Sequence, residues 1–215
     1  MRRSTFTDAA VTYGAIGGTL APDLMQYPPK GHRPLERSVR LGSGDERFHV
    51  ASKLLMTWGV QRGSGMSVTD LEIGTGVQYT PVEFEPDGTP IPARQAAEGE
   101  AVFADDGTPY IMNGMTAQLE IHVGPMRVKA PVRVVYVIAE KTRVGFAYGT
   151  MRGHPTSGEE SFIVEKRDDD SVWFTLRAFS RPSTWYYRLA SPILRMQQER
   201  FTRRYLKSLH PVGAL

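Results

Sequence analysis

At 215 residues, with 40% hydrophobic and 23% charged content, the chain has an ordinary globular composition and enough apolar material for one buried core. It contains no cysteine, which excludes disulfides, thiolate metal sites and a cysteine nucleophile and fits a reducing compartment, so a cytoplasmic location is expected. The net charge is only +3 and no apolar run approaches the roughly 18 residues of a bilayer span, so no membrane span is expected.

Residues 1–34 are rich in Gly, Pro and small polar residues without a sustained period, which predicts an irregular arm with one short extended piece near Val11. Its basic tip, Arg2 and Arg3, is not followed by a continuous apolar segment, so no signal peptide is expected. The glycines at 14, 17 and 18 lack the spacing and the Lys-Ser/Thr pair of a phosphate loop. Residues 32–41 alternate at Leu35, Arg37, Val39 and Leu41 and predict a strand. Ser43 and Glu46 form a capping-box pattern, and Phe48, Ala51, Leu54, Leu55 and Trp58 follow at helical spacing up to a stop at Gly59.

A strand over 66–77 follows. Residues 80–114 then change in character, with five prolines and two Asp-Gly pairs, at 87–88 and 106–107, each flanked by apolar residues. Asp-Gly in that setting is a hairpin signal, so this segment reads as a hairpin-rich insertion. Strand patterns resume at 115–123, 128–139, 144–150, 161–166 and 171–180, with Pro131 tolerable only near an edge or bulge. The longest helical pattern, 183–209, closes the chain, with Trp185, Leu189, Ile193 and Met196 on one stripe and Phe201, Tyr205 and Leu209 continuing it. Ser191 and Pro192 inside it supply a fresh N-cap and first helical residue.

This order describes an α+β fold in which an antiparallel sheet with one apolar face is covered by a long C-terminal helix. Sheet and helix curve apart, leaving room for an elongated apolar cavity with a few polar groups. One domain spanning 1–215 accommodates the whole pattern. Arg188, Arg195, Arg200, Arg203, Arg204 and Lys207 make the last helix basic, which reads as a solvated face; no motif supports nucleic acid.

The turn after the strand at 144–150 carries Arg152, His154, Thr156, Ser157, Glu159 and Glu160, more polar residues than a turn requires. A pair of His154 with Glu159 or Glu160 could serve as general acid and base; the alternative is that His154 simply builds the turn. The five histidines are scattered without metal-ligand spacing, so no metal and no cofactor are expected. Trp58, Tyr136, Tyr148, Trp185 and Met196 are the candidates for a cavity lining, with Arg152 near one end.

The runs FAYGT, MRGHP and TSGEESF across 146–162, VWFTLRAFSRPSTW at 172–185 and RFTRRYLKSL at 200–209 resemble the DUF1990 domain of bacteria and plants. TYGAIGG at 12–18 and ASKLLMTWGV at 51–60 are similar to the same family, and only residues 81–114 fall outside the likeness. The resemblance implies the helix-grip fold of the birch-pollen-allergen and START-type superfamily, whose members hold apolar or amphipathic ligands between a curved antiparallel sheet and a long C-terminal helix. Three readings stay open. The leading one is a protein that binds a small apolar or amphipathic molecule. The second is a cyclase, dehydratase or hydrolase on a polyketide- or lipid-like substrate, using His154 and Glu159. The third is an interaction module using the insertion and the basic helix. The oligomeric state is left open, a homodimer included.

Overall fold

The computed structural model describes residues 10–73, 83–84, 90–91, 103–104, 107–123, 126–183 and 191–211. Its strands are β1 (Arg33–Ser43), β2 (Ser67–Glu72), β3 (Glu83–Phe84), β4 (Pro90–Ile91), β5 (Thr116–Val123), β6 (Met126–Ala139), β7 (Arg143–Thr150), β8 (Thr156–Lys166) and β9 (Ser171–Pro182). Seven of them form one sheet in the order β1-β9-β8-β7-β6-β5-β2, antiparallel throughout. β3 and β4 pair separately on either side of Asp87 and Gly88, and Phe103 bridges Pro109 around the second Asp-Gly. Both pairings are those the turn chemistry predicts. Register shifts at Arg40/Gly42 and Val134/Tyr136 bend the ladder as β-bulges do, giving the sheet its curvature.

Helices α1 (Asp45–Met56), α2 (Gly59–Gly63) and α3 (Ser191–Ser208) belong to the same α+β arrangement. The inner face of the sheet and these helices share the main core, which includes Leu55, Trp58, Phe146, Tyr148, Phe162, Phe174, Phe201, Tyr205 and Leu209. Phe201, Tyr205 and Leu209 are four residues apart, so one stripe of α3 is buried, as its periodicity predicts. The guanidinium of Arg47 on α1 donates to the carbonyl of Leu209, tying the two helices end to side.

Four local expectations change. Ser43 ends β1 and caps nothing; Gly44 is the N-cap of α1 and makes no side-chain cap bond, leaving Asp45 and Glu46 to favour the helix N-terminus by charge. Gly59 opens α2 instead of ending α1, because Trp58 takes the left-handed turn itself, at φ 62°. Leu54 is 43% exposed, so the apolar stripe of α1 is narrower than its sequence suggests. Pro131 lies in an interior strand, and it is accommodated because the β6–β7 ladder begins only at Val132.

A fifth change matters most. β8 begins at Thr156, so Ser157, Glu159 and Glu160 are strand residues, and the turn proper is confined to 152–155. The outer face of the sheet carries a second core, in which the arm packs Val11, Tyr13, Ile16 and Leu24 onto Phe179 and the Tyr136–Ala147 region. The arm is therefore an ordered layer over residues 10–32, with one 3₁₀ turn at Gly18–Leu20.

Candidate functional site

Alternation along β8 sends its two adjacent carboxyl groups to opposite faces. Glu159 points outward and is almost fully buried beneath the arm. Its Oε2 accepts from the Tyr13 hydroxyl at 2.7 Å and the Gly17 amide at 2.8 Å. Its Oε1 accepts from the Thr19 amide at 2.9 Å and the Thr19 hydroxyl at 2.5 Å. With the Thr19 proton committed to Glu159, the Tyr136 hydroxyl is the donor in its 2.7 Å bond to Thr19 Oγ1. Burial pushes the Glu159 carboxyl above its ordinary value, and the four donors oppose that rise. Gly17 is left-handed at φ 78°, and the amides on either side of Gly18 both point to the carboxylate, while the Gly18 amide itself donates to the Ala15 carbonyl. The glycine-rich stretch thus binds an anion, and the anion is the protein's own side chain.

The partners of Glu160 are different. Tyr148, directly across on β7, donates to its Oε2 at 2.6 Å. Tyr205 of α3 brings a buried phenol to the same pair. Burial pushes both phenols well above the usual tyrosine range and raises the Glu160 carboxyl as well. Around them, Trp58 stacks on Tyr148 with ring centroids 6.3 Å apart, while Phe162 packs 5.4 Å from Tyr148 and edge-on to Tyr205 at 5.4 Å. Glu160 alone of this group keeps partial solvent exposure.

Trp58 adds two signs of strain to this face. Its left-handed backbone is costly for a side chain with a Cβ, and its indole Nε1 is buried with no hydrogen-bond partner among the described residues. Three residues on, fully buried Gln61 leaves both ends of its amide unpartnered in the same sense.

His154 sits in the β7–β8 turn and is half-buried. Its amide donates to the Met151 carbonyl at 3.1 Å, and its Nδ1 accepts from the Thr156 amide at 3.0 Å, which leaves the ring proton on Nε2. Desolvation lowers its pKa to about 4. His154 and Glu159 share no hydrogen bond; the first is held by Thr156 and the second by the arm. Arg152 is exposed.

Of the predicted lining residues, Trp58 and Tyr148 meet on the inner face. Tyr136 lies on the outer face with Thr19, and burial pushes its phenol up to about 12. Trp185 lies outside the described residues, and Met196 lies on α3 where only the backbone is described. Glu160 and Tyr205 were not singled out as ligand contacts. The alternation of β8 is the available signal for Glu160, and its polar first residues give that stretch the look of a turn.

A cleft of about 280 Å³ also opens on the outer face, beside Arg177 and Glu36. Arg177 is spent there on the carbonyls of Thr19 and Ala21, at 2.7 and 2.8 Å, and on Glu36 at 2.9 Å, so it fastens the arm. Among the described residues no group of three or more His, Asp or Glu could hold a metal, and no helix is long and apolar enough to cross a membrane.

The antiparallel sheet, its C-terminal helix and the aromatic-lined carboxyl between them define a helix-grip α+β protein. The chain belongs to the DUF1990 family, described as a domain of unknown function, whose model matches residues 12–88 and 72–208. A UPF0548 protein of Deinococcus radiodurans is 35% identical over 133 residues, covering 54% of this chain and 67% of that one. A UPF0548 protein of Arabidopsis thaliana is 37% identical over 82 residues, covering 35% of this chain and 40% of the plant protein. Among solved structures, hypothetical protein jhp0584 of Helicobacter pylori aligns with a TM-score of 0.46 at 9% identity, over 97% of this chain and 96% of that one. Ara h 8.0201 aligns with a TM-score of 0.40 at 9% identity, over 83% and 99%.

Proposed function

We propose that this protein binds a small amphipathic molecule between the inner face of its sheet and its helices, with the polar end of the molecule at Glu160 and Tyr148. One observation carries the reading. The carboxyl of the half-buried Glu160, hydrogen-bonded to a phenol at 2.6 Å, faces a wall of aromatic rings whose Trp58 indole N–H has no partner among the described residues. Apolar walls with a few convergent polar groups are the usual composition of a small-molecule site. The left-handed Trp58 fits this reading, since backbone strain of this kind persists where it positions a functional side chain.

Native mass spectrometry of the purified chain tests it, followed by a thermal-shift screen against amphipathic small molecules. Expected is a co-purified mass or a stabilising compound, with the effect weakened by Glu160→Ala. A chain at its bare mass that no amphipathic compound stabilises would overturn the proposal.

A further inference from the structure

The charge balance around Glu160 narrows the class of ligand. This step rests on the reading above that the inner face holds one. Two of the neighbours of Glu160 on the sheet are small. Directly across on β9 stands Ala178, and two residues earlier on β8 stands Gly158, so neither neighbour projects more than a methyl group. Gly158 is fixed by its neighbours, because a Cβ there would lie 1.9 Å from the Phe179 carbonyl oxygen. The remaining two sides are Tyr148 and Phe162, both aromatic. The carboxyl is therefore flanked by rings and by small residues.

No basic side chain among the described residues pairs with Glu160; the ion pairs of Lys166, Arg143, Arg167, Arg177 and Arg203 all lie with other carboxylates. Its one hydrogen-bond donor is the Tyr148 hydroxyl, on Oε2, and Oε1 has no donor among the described residues. A second anion brought to this point would meet a carboxylate and, among the described residues, no cation. A cation would meet a free carboxylate oxygen together with the negative faces of several rings, the two features that attract an organic ammonium. We infer that the molecule bound here is a protonated amine with an apolar body, its ammonium group paired with Glu160 and packed against Tyr148 and Phe162.

Isothermal titration of the full chain near neutral pH with octylamine, octan-1-ol and octanoate tests the inference, since the three probes share one apolar body and differ in charge. Octylamine is expected to bind at least about tenfold more tightly than the other two, the scale of one charge-assisted contact. That preference is expected to vanish in Glu160→Gln. Equal binding of all three, or a preference for octanoate, would overturn the amine assignment and leave the binding reading standing. Binding of none of the three would overturn the assignment together with the binding reading. The comparison on the unaltered chain decides the matter even where Glu160→Gln does not fold.

Discussion

Glu159 and Glu160 are consecutive residues of β8 whose carboxyl groups lie on opposite faces of one sheet, the first bound by the arm and the second by Tyr148. Chemically they are the same group. What separates them is the set of donors that each finds. Glu159 receives four and is part of the scaffold, whereas Glu160 receives one and remains partly exposed.

Glu159→Gln replaces an acceptor-only carboxylate with an amide whose NH₂ meets donors. Two of the four hydrogen bonds are lost and the others weaken, for a cost of about 2–4 kcal/mol in a buried site. Urea denaturation gives the magnitude. Hydrogen exchange locates it, with the Gly17 and Thr19 amides losing protection while β6 and β7 keep theirs. Unchanged protection of those two amides would show that Glu159 does not hold the arm.

Gly149→Ala reaches the same arm by sterics alone. A Cβ at this position would sit 2.4 Å from the Tyr13 hydroxyl and 2.8 Å from Val11, so the arm must move. Overpacking of this kind costs about 1–3 kcal/mol. Limited proteolysis should cut the arm faster in this variant, with octylamine binding unaltered, because the inner face is untouched.

His154 gives a pH signature. Its folded pKa is lowered from 6.5 to about 4, so the folded protein binds fewer protons than the unfolded chain between those values. Its contribution is present above pH 6.5 and is lost as pH falls toward 4, to a limit of about 3 kcal/mol. Denaturation midpoints measured across pH 4–7 should lose part of their slope in His154→Asn. An imidazole that titrates near 6.5 by NMR would contradict this account.

Glu160 has the opposite sign. Its folded pKa is raised by burial, so the folded state holds the proton more tightly, and stability is lost as pH rises from the ordinary glutamate value through the raised one. Glu160→Gln carries no such penalty. It should be more stable than the unaltered protein at pH 7–8, with the difference shrinking toward pH 4. Stability gained by removing a side chain identifies one kept for function. A loss of stability at pH 8 would instead make Glu160 part of the scaffold.

Tyr148→Phe removes the one donor that Glu160 has among the described residues. The variant should lose about 1–2 kcal/mol, as expected when a buried polar pair is broken. It should also weaken octylamine binding less than Glu160→Gln does, because the ring and the carboxyl both remain. Equal losses would place the ammonium on the phenol instead of the carboxyl.

Much of the fold was legible residue by residue. Alternation at Leu35, Val39 and Leu41 announced β1, the Asp-Gly pairs announced their hairpins, and the spacing of Phe201, Tyr205 and Leu209 announced the buried stripe of α3. The site was half legible. Trp58 and Tyr148 were selected for their aromatic character and do meet, but Tyr136, chosen on the same grounds, faces away. The bulge between Val134 and Tyr136 changes which face receives each side chain, and a one-residue change in register is invisible in composition. The glycine-rich arm looked structureless because its order comes from a partner about 140 residues away, the Glu159 carboxylate.

The sequence by itself determined the elements, their order and their antiparallel arrangement, because periodicity and turn chemistry act over a few neighbouring residues. Only the tertiary structure decided which of two adjacent glutamates locks the arm and which faces the aromatic rings. That choice depends on where β8 begins, on the register it keeps with β7, and on which distant donors desolvate and engage each carboxyl. None of these is a property of the Glu-Glu pair as written in the chain.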